Sequence, residues 1–429
     1  MAPLLLDITP LRVNPSYRRL FTGFTLSGIG AQLATVAIGL QVYDITGSTF
    51  AVGLVGLCAL VPLVVMGLYG GALVDAHDRR TVALVAGVVL WIVSVLNTVQ
   101  ALFDNTHVGV LYVLVGVYNA GFAVVSPARS AIYPRLLDRA LLPAANALSV
   151  AAMNIAMTVG PLMAGLLVDW GGYVLAYGID AALFTFAIWG LLRLEPIPPE
   201  IDPTADTGVP QRRPGLSSVL DGLRFLGTRP NVRMTFLADF CAMILAQPRA
   251  LFPAVAVLSF GGGAKTVGLL SAAVAVGAIV SMLVSGRLGR VRRQGLAVVV
   301  SVALWGVSIV GFGIAVAGAG GVLTSSQALW LAAVALAGAG ACDSVSAVFR
   351  TTILQSATPD HLRGRLQGVF VVVVAGGPRL GDLLAGTGAT IFNEAAAAIV
   401  GGILCVIAVA LLASWQRGFL RYDAQHPTP

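Results

Sequence analysis

The chain has 429 residues, of which 57% are hydrophobic and only 10% charged, with a mean hydropathy of +0.89. That composition excludes a water-soluble globule of ordinary design and reads as an integral membrane protein. The net charge of +7 needs no nucleic-acid partner, because a basic rim facing anionic lipid headgroups accounts for it.

A helix crossing ~30 Å of hydrocarbon needs about 18 apolar residues or more. Twelve such runs are predicted, over 18–43, 50–74, 81–103, 108–130, 144–168, 173–194, 232–258, 266–288, 295–318, 327–350, 366–390 and 395–416. The first twenty residues carry Asp7, Arg12, Arg18 and Arg19, with no small-residue cleavage site, so no removable signal peptide is expected. The loops after predicted helices 2, 4, 6, 8 and 10, together with the two ends, hold 23 of the 26 Lys plus Arg. Cytoplasmic loops retain basic residues, so both termini are expected on the cytoplasmic side of a multi-pass membrane protein.

Between helices 2 and 3 the stretch GGALVDAHDRR gathers Asp75, His77, Asp78, Arg79 and Arg80 in one tight turn. On helix 5 the run GPLMAG places Gly160, Pro161 and Gly165 where proline bends a helix and small residues admit a close neighbour. Residues 195–214, with six prolines and mixed charge, break the hydrophobic rhythm and read as a linker. After them Leu216, Val219, Leu220, Leu223 and Leu226 recur at helical spacing, which fits an amphipathic helix on the membrane surface or one capping the bundle. The expected organisation is an N-terminal bundle over 1–194, a cytoplasmic linker over 195–230 and a C-terminal bundle over 231–429.

The two halves repeat one another. An offset of 215 carries Pro15, Arg18 and Phe21 onto Pro230, Arg233 and Phe236, and Gly71 and Leu73 onto Gly286 and Leu288. An offset of 221 carries Arg129 onto Arg350, Asn146 onto Gln367, and GPLMAG onto GDLLAG at 381–386. Two six-helix halves with the same chain direction describe parallel repeats, the arrangement with which carriers rock around a central site. The fold class expected is therefore an all-α membrane protein, twelve transmembrane helices in two six-helix bundles.

Charges at membrane depth cost about 2.5–3.5 kcal/mol at the centre, so each requires a partner or a hydrated cavity. Asp239 and Arg249 fall in predicted helix 7, Asp343 in helix 10, Arg379 and Asp382 in helix 11, and Asp180 in helix 6. Asp239 and Asp343, one or both, are candidates to change protonation during transport. Arg379 and Asp382, three apart on one helical face, are expected to offset one another. Arg249 suits either an anionic substrate oxygen or a protein carboxylate. Gln32 and Gln41 on helix 1, Asn119 on helix 4 and Gln247 on helix 7 supply either cavity donors and acceptors or interhelical contacts. Cys58, Cys241, Cys342 and Cys405 lie inside predicted spans without metal-ligand spacing and read as apolar packing. The sequence has no ATP-binding Gly-rich loop with Lys-Ser/Thr and no metal motif, so no cofactor, metal or enzymatic activity is expected, and energy comes from an ion or substrate gradient.

Gly71, Asp75, Arg79 and Arg80 resemble the loop 2-3 signature of the major facilitator superfamily, with Ala76 where an Arg is usual and Asp78 where a Gly is usual. The resemblance implies a gate in which Asp75 faces the N-terminal end of helix 11, and a cavity lined by helices 1, 4, 7 and 10. YDITGSTFAVGL (43–54), SPARSAIYPRLLDRALLPAANAL (126–148), GLRFLGTRPNVR (222–233) and LQSATPDHLRGRLQGV (354–369) are similar to the branch containing the enterobactin exporter and related macrolide and multidrug exporters. GPLMAG resembles the helix-5 motif of antiporters, while Val117 stands where proton-coupled drug exporters carry an arginine. The function implied is proton-coupled export of small amphipathic molecules by a monomeric carrier in contact with membrane lipids. Lipid translocation and nutrient symport on the same fold are the alternatives.

Overall fold

The computed structural model describes residues 7–198, 227–283, 291–356 and 360–423. The long helices are α1 (Pro15–Thr46), α2 (Thr49–Ala76), α3 (Arg79–Leu102) and α4 (Val108–Leu136), then α5 and α6 within Leu142–Leu192. They continue with α7 (Pro230–Leu258), α8 (Ala264–Leu283), α9 (Gln294–Gly318), α10 (Ser325–Ser356), α11 (Asp360–Ile391) and α12 (Glu394–Trp415). Helices α5 and α6 meet at Gly171 and Gly172, whose backbone is non-helical, with φ +68° at Gly172, a value that glycine adopts without strain. No strand is present among the described residues. This is the twelve-helix architecture expected, although most of the linker, 199–226, with its amphipathic pattern, lies outside the described residues.

Local chemistry sets the helix ends. The Asn14 side chain accepts from the Tyr17 N–H at 2.9 Å and Pro15 occupies the first turn, where its missing donor costs nothing. At the other end Gly47, left-handed with φ 60°, closes α1 by donating its N–H to the Tyr43 carbonyl at 2.7 Å. Ser48 caps α2, Asp78 caps α3 and Asn393 caps α12 in the same way.

Buried apolar residues gather in three clusters. Among the described residues, two draw on 17–197 and take in Ala250, and one draws on 234–422, takes in Leu40 and has Val36, Val168 and Tyr173 packed against it. Each half thus packs largely around its own interior, which is what permits one to move against the other. Large apolar side chains such as Phe103, Trp170 and Leu411 are exposed on the outside of the bundle, a surface that lipid rather than water covers.

Candidate transport cavity

Helix α7 is not continuous. It runs as an α-helix over Pro230–Phe240, widens to a π-turn over Cys241–Leu245, breaks, then restarts as a 3-10 turn over Arg249–Leu251 and an α-helix over Phe252–Leu258. Pro248 lacks a donor and prevents the ladder from passing through. The groups freed by the break find partners. The indole Nε1–H of Trp305 on α9 donates to the Ala246 carbonyl at 3.2 Å, and the Asp382 carboxylate on α11 faces the Ala250 N–H. Irregular backbone at membrane depth is tolerated only where it is packed by protein or lines a cavity, and here both conditions hold.

The cavity has a volume of about 450 Å³ and lies between the two bundles. Gln32 on α1 and Gln247 at the break both line it. They are related by the same offset of 215 as the Pro15 and Pro230 pair, and each sits against a glycine of the repeated motif. A Cβ built on Gly160 would come within 2.5 Å of the Gln32 Cβ, and one on Gly381 within 2.7 Å of the Gln247 Cβ.

Asp239, Asp343 and Arg249 also line the cavity. With them is Arg350, which counting basic residues places in a loop but which lies inside α10 with its side chain only 11% exposed. Its Nη1 is paired directly with Asp239, and its Nη2 lies 3.3 Å from Asp343. Asp239 is buried, whereas the Asp343 side chain is 38% exposed to the cavity. One guanidinium between two carboxylates can neutralise only one of them, leaving the other to find water, a proton or a ligand.

Asn119, open from the sequence to either a cavity or an interhelical role, is buried and not among the cavity's lining residues. Its side-chain N–H donates to the Val115 carbonyl at 2.9 Å and its Oδ1 accepts from Arg379 at 2.8 Å, which ties α4 to α11. Arg379 therefore reaches across to Asn119, while Asp382, the partner expected for it, faces the α7 break. Gln41 likewise serves packing, accepting from the Tyr177 hydroxyl at 2.8 Å and exchanging amide bonds with Gln100 at 3.0 Å.

The two bundles meet along α5 with α8 and α2 with α11. Gly165 and Gly386, sixth residues of the repeated motif, make these seams possible. A Cβ on Gly165 would meet the Ala264 carbonyl at 2.7 Å, and one on Gly386 the Thr49 carbonyl at the same distance. Both seams lie toward the face remote from the chain termini. There Lys265 pairs with Asp169 at 2.7 Å and Thr49 donates to Glu394 at 2.9 Å, each contact bridging the bundles.

On the opposite face, Asp78 holds the turn after α2. It accepts from the Thr81 N–H and hydroxyl, both at 2.7 Å, and takes a short bond from the Ile197 N–H. Arg79 N–H donates to the Ile197 carbonyl at 3.0 Å, and Arg80 donates to the carbonyls of Leu191 and Leu192 at 3.2 and 3.0 Å. The basic turn thus caps the C-terminal end of α6, where unpaired carbonyls attract cations. The side chains of Gly71, Asp75 and the first part of α11 lie outside those described.

A family model described as transmembrane secretion effector matches residues 7–424. The chain belongs to this family, a branch of the major facilitator superfamily. The transporter is 30% identical over 413 residues to the enterobactin exporter EntS of Salmonella typhi, covering 95% of this chain and 94% of that one. The Citrobacter koseri EntS is 29% identical over 424 residues, covering 99% and 97%. Among solved structures, a nucleoside transporter NupG structure matches with a TM-score of 0.73 at 13% identity, over 93% of this chain and 99% of its own. An inward-facing bacterial homologue of the iron transporter ferroportin matches with a TM-score of 0.66 at 14% identity, over 95% and 98%. At such identities the structural matches establish the fold alone.

Sequence reasoning missed two parts of the transporter's cavity. The α7 break left one signal, Pro248 in the middle of an apolar run. Arg350 left another, its position 221 residues after Arg129, which marks it as part of the repeated scaffold rather than of a loop.

Proposed function

We propose that this transporter exports small amphipathic, siderophore-like molecules across the bacterial inner membrane by alternating access, in exchange for protons. The observation that carries the reading is the Asp239–Arg350–Asp343 cluster, two carboxylates sharing one guanidinium inside the cavity between the bundles. A hydroxyl of the substrate that donates to Asp343 favours its ionised form, and a proton on Asp343 takes away the charge that makes it a strong acceptor. Substrate loading and proton loading then exclude one another, the condition for antiport. The enterobactin exporters to which the chain is similar supply the substrate class.

In this account the bundles over 1–194 and 231–429 rock about the seams, with the linker over 195–230 joining them and both termini in the cytoplasm. The face closed by Lys265–Asp169 is the periplasmic one. Gly160, Pro161 and Gly165 form the moving α5 seam, and Asp75 acts on the cytoplasmic side. One polypeptide holds the whole cavity, so a monomer surrounded by lipid is sufficient.

The test is accumulation of a catecholate siderophore in inside-out vesicles with an acidified lumen. Uptake that collapses when an ionophore dissipates the proton gradient supports the reading. Uptake that persists without the gradient removes proton coupling and favours lipid-type or facilitated translocation.

A further inference from the structure

The charges around the cavity are unbalanced at two places, with opposite sign. Asp239 and Asp343 exceed Arg350 by one negative charge. At the α7 break, Arg249 and Arg379 exceed Asp382 by one positive charge. These three groups lie close enough to influence one another electrostatically. Arg379 is tied to Asn119, and Asp382 faces the Ala250 N–H. Arg249 differs from both: its side chain is exposed and lines the cavity, and no described carboxylate lies within 4.0 Å of it.

The break explains the placement. A continuous helix would turn residue 249 according to the phase set by Asp239. The π-turn and the restart at Pro248 reset that phase, so that Gln247, Pro248 and Arg249 in succession all meet the cavity. Gly381 on α11 maintains the arrangement, since any Cβ there would strike the backbone of α7 at Met243. A feature that irregular, with its freed backbone groups satisfied by Trp305 and Asp382, is a built part of the binding surface.

We infer that Arg249 holds an oxyanion of the substrate, a carboxylate or an ionised catechol oxygen, with Gln247 beside it as a polar neighbour. The assignment rests on the export reading only for the cavity being the substrate's path. A planar guanidinium offers two parallel donors to such a group, and in a partly desolvated cavity the charge-assisted bonds are strong. The substrate then lies with its anionic group at the α7 break and its neutral hydroxyl donors toward Asp343, each meeting the unbalanced charge that suits it.

The experiment measures binding to the purified full-length chain with two matched probes, protocatechuate and its uncharged primary amide. Wild type is expected to bind the carboxylate at least tenfold more tightly than the amide. Arg249→Gln is expected to bring the two within twofold and Arg249→Lys to keep an intermediate preference. No binding of protocatechuate by wild type, equal binding of both probes, or an undiminished preference in Arg249→Gln overturns the assignment. Should Arg249→Gln fail to fold, the lysine variant decides: a preference equal to wild type also overturns it. Binding needs no flux, so failure of gradient-driven export with the preference intact counts against the export reading alone.

Discussion

Arg350 and Arg129 stand at equivalent positions in the two bundles, yet Arg350 pairs with Asp239 whereas Arg129 lies over the Phe24 ring, 5.4 Å from its centroid. The offset of 221 that relates the arginines also relates Phe122 to Asp343, and the offset of 215 that relates Pro15 to Pro230 relates Phe24 to Asp239. One half of a duplicated scaffold therefore sets its arginine over an aromatic ring, and the other holds it with carboxylates. The acidic cluster is a local departure from the repeat, placed where the cavity lies.

That contrast predicts unequal costs of removal. Arg350→Met leaves a buried carboxylate uncompensated and is expected to destabilise the protein by about 3–5 kcal/mol. Arg129→Met, which loses a cation–π contact, is expected to cost about 0.5–2 kcal/mol. Adding Asp239→Asn to Arg350→Met should restore part of the larger loss. Thermal unfolding of the detergent-purified proteins reads all three; equal losses at the two arginines would argue against the buried pair.

The seam glycines predict a mechanical effect. Gly165→Val places bulk against the α8 backbone, where a single Cβ already comes within 2.7 Å of a carbonyl. Substrate binding is expected to persist while transport falls at least tenfold, because the seam can no longer close. In the opposite sense, a disulfide between Asp169→Cys and Lys265→Cys should hold the seam shut and stop transport until it is reduced. The salt bridge it replaces is exposed and weak, as a latch that opens in every cycle needs to be. Full transport by the oxidised double variant would show that this seam does not open.

How much of this was legible beforehand differs from residue to residue. The spans were legible because lipid demands long apolar runs, and the GPLMAG and GDLLAG repeat pointed to Gly165 and Gly386 because close helix packing tolerates only small residues. The position of Asn119 was not legible, because a helix apolar on all sides does not reveal which face meets a cavity. The apolar residues on both sides of Pro248 within 232–258 read as one span and concealed the α7 break, whose freed backbone groups meet Trp305 and Asp382 from other helices. Arg350 is the last residue of the predicted span 327–350 and counts with the loop arginines, whereas the helix continues to Ser356 and carries it inside.

Asp78 carries a pH prediction. Burial acts to raise its carboxyl pKa, but the bonds from Thr81 and Ile197 and the Arg80 charge outweigh burial and hold it below the ordinary carboxylate value. A lowered folded-state pKa means that the ionised cap contributes stability above the unfolded-state pKa near 3.8, and that the contribution fades as pH falls through the lower folded value. Asp78→Ala is expected to cost about 1 kcal/mol at neutral pH through loss of the α3 cap. Its melting temperature should converge on that of wild type as pH drops below about 4. A gap that stays constant down to strong acid would mean that the carboxylate's charge plays no part.

The measurement closest to the central claim is proton movement driven by substrate alone. Proteoliposomes containing the transporter are loaded with a catecholate siderophore, diluted into substrate-free buffer with no imposed pH gradient, and followed with a lumenal pH indicator. The account predicts lumenal acidification as substrate leaves, abolished in Asp239→Asn, Asp343→Asn or both, with substrate affinity lowered where Asp343 is replaced. Substrate efflux with no pH change in wild type, or acidification unaltered in the double variant, would contradict it.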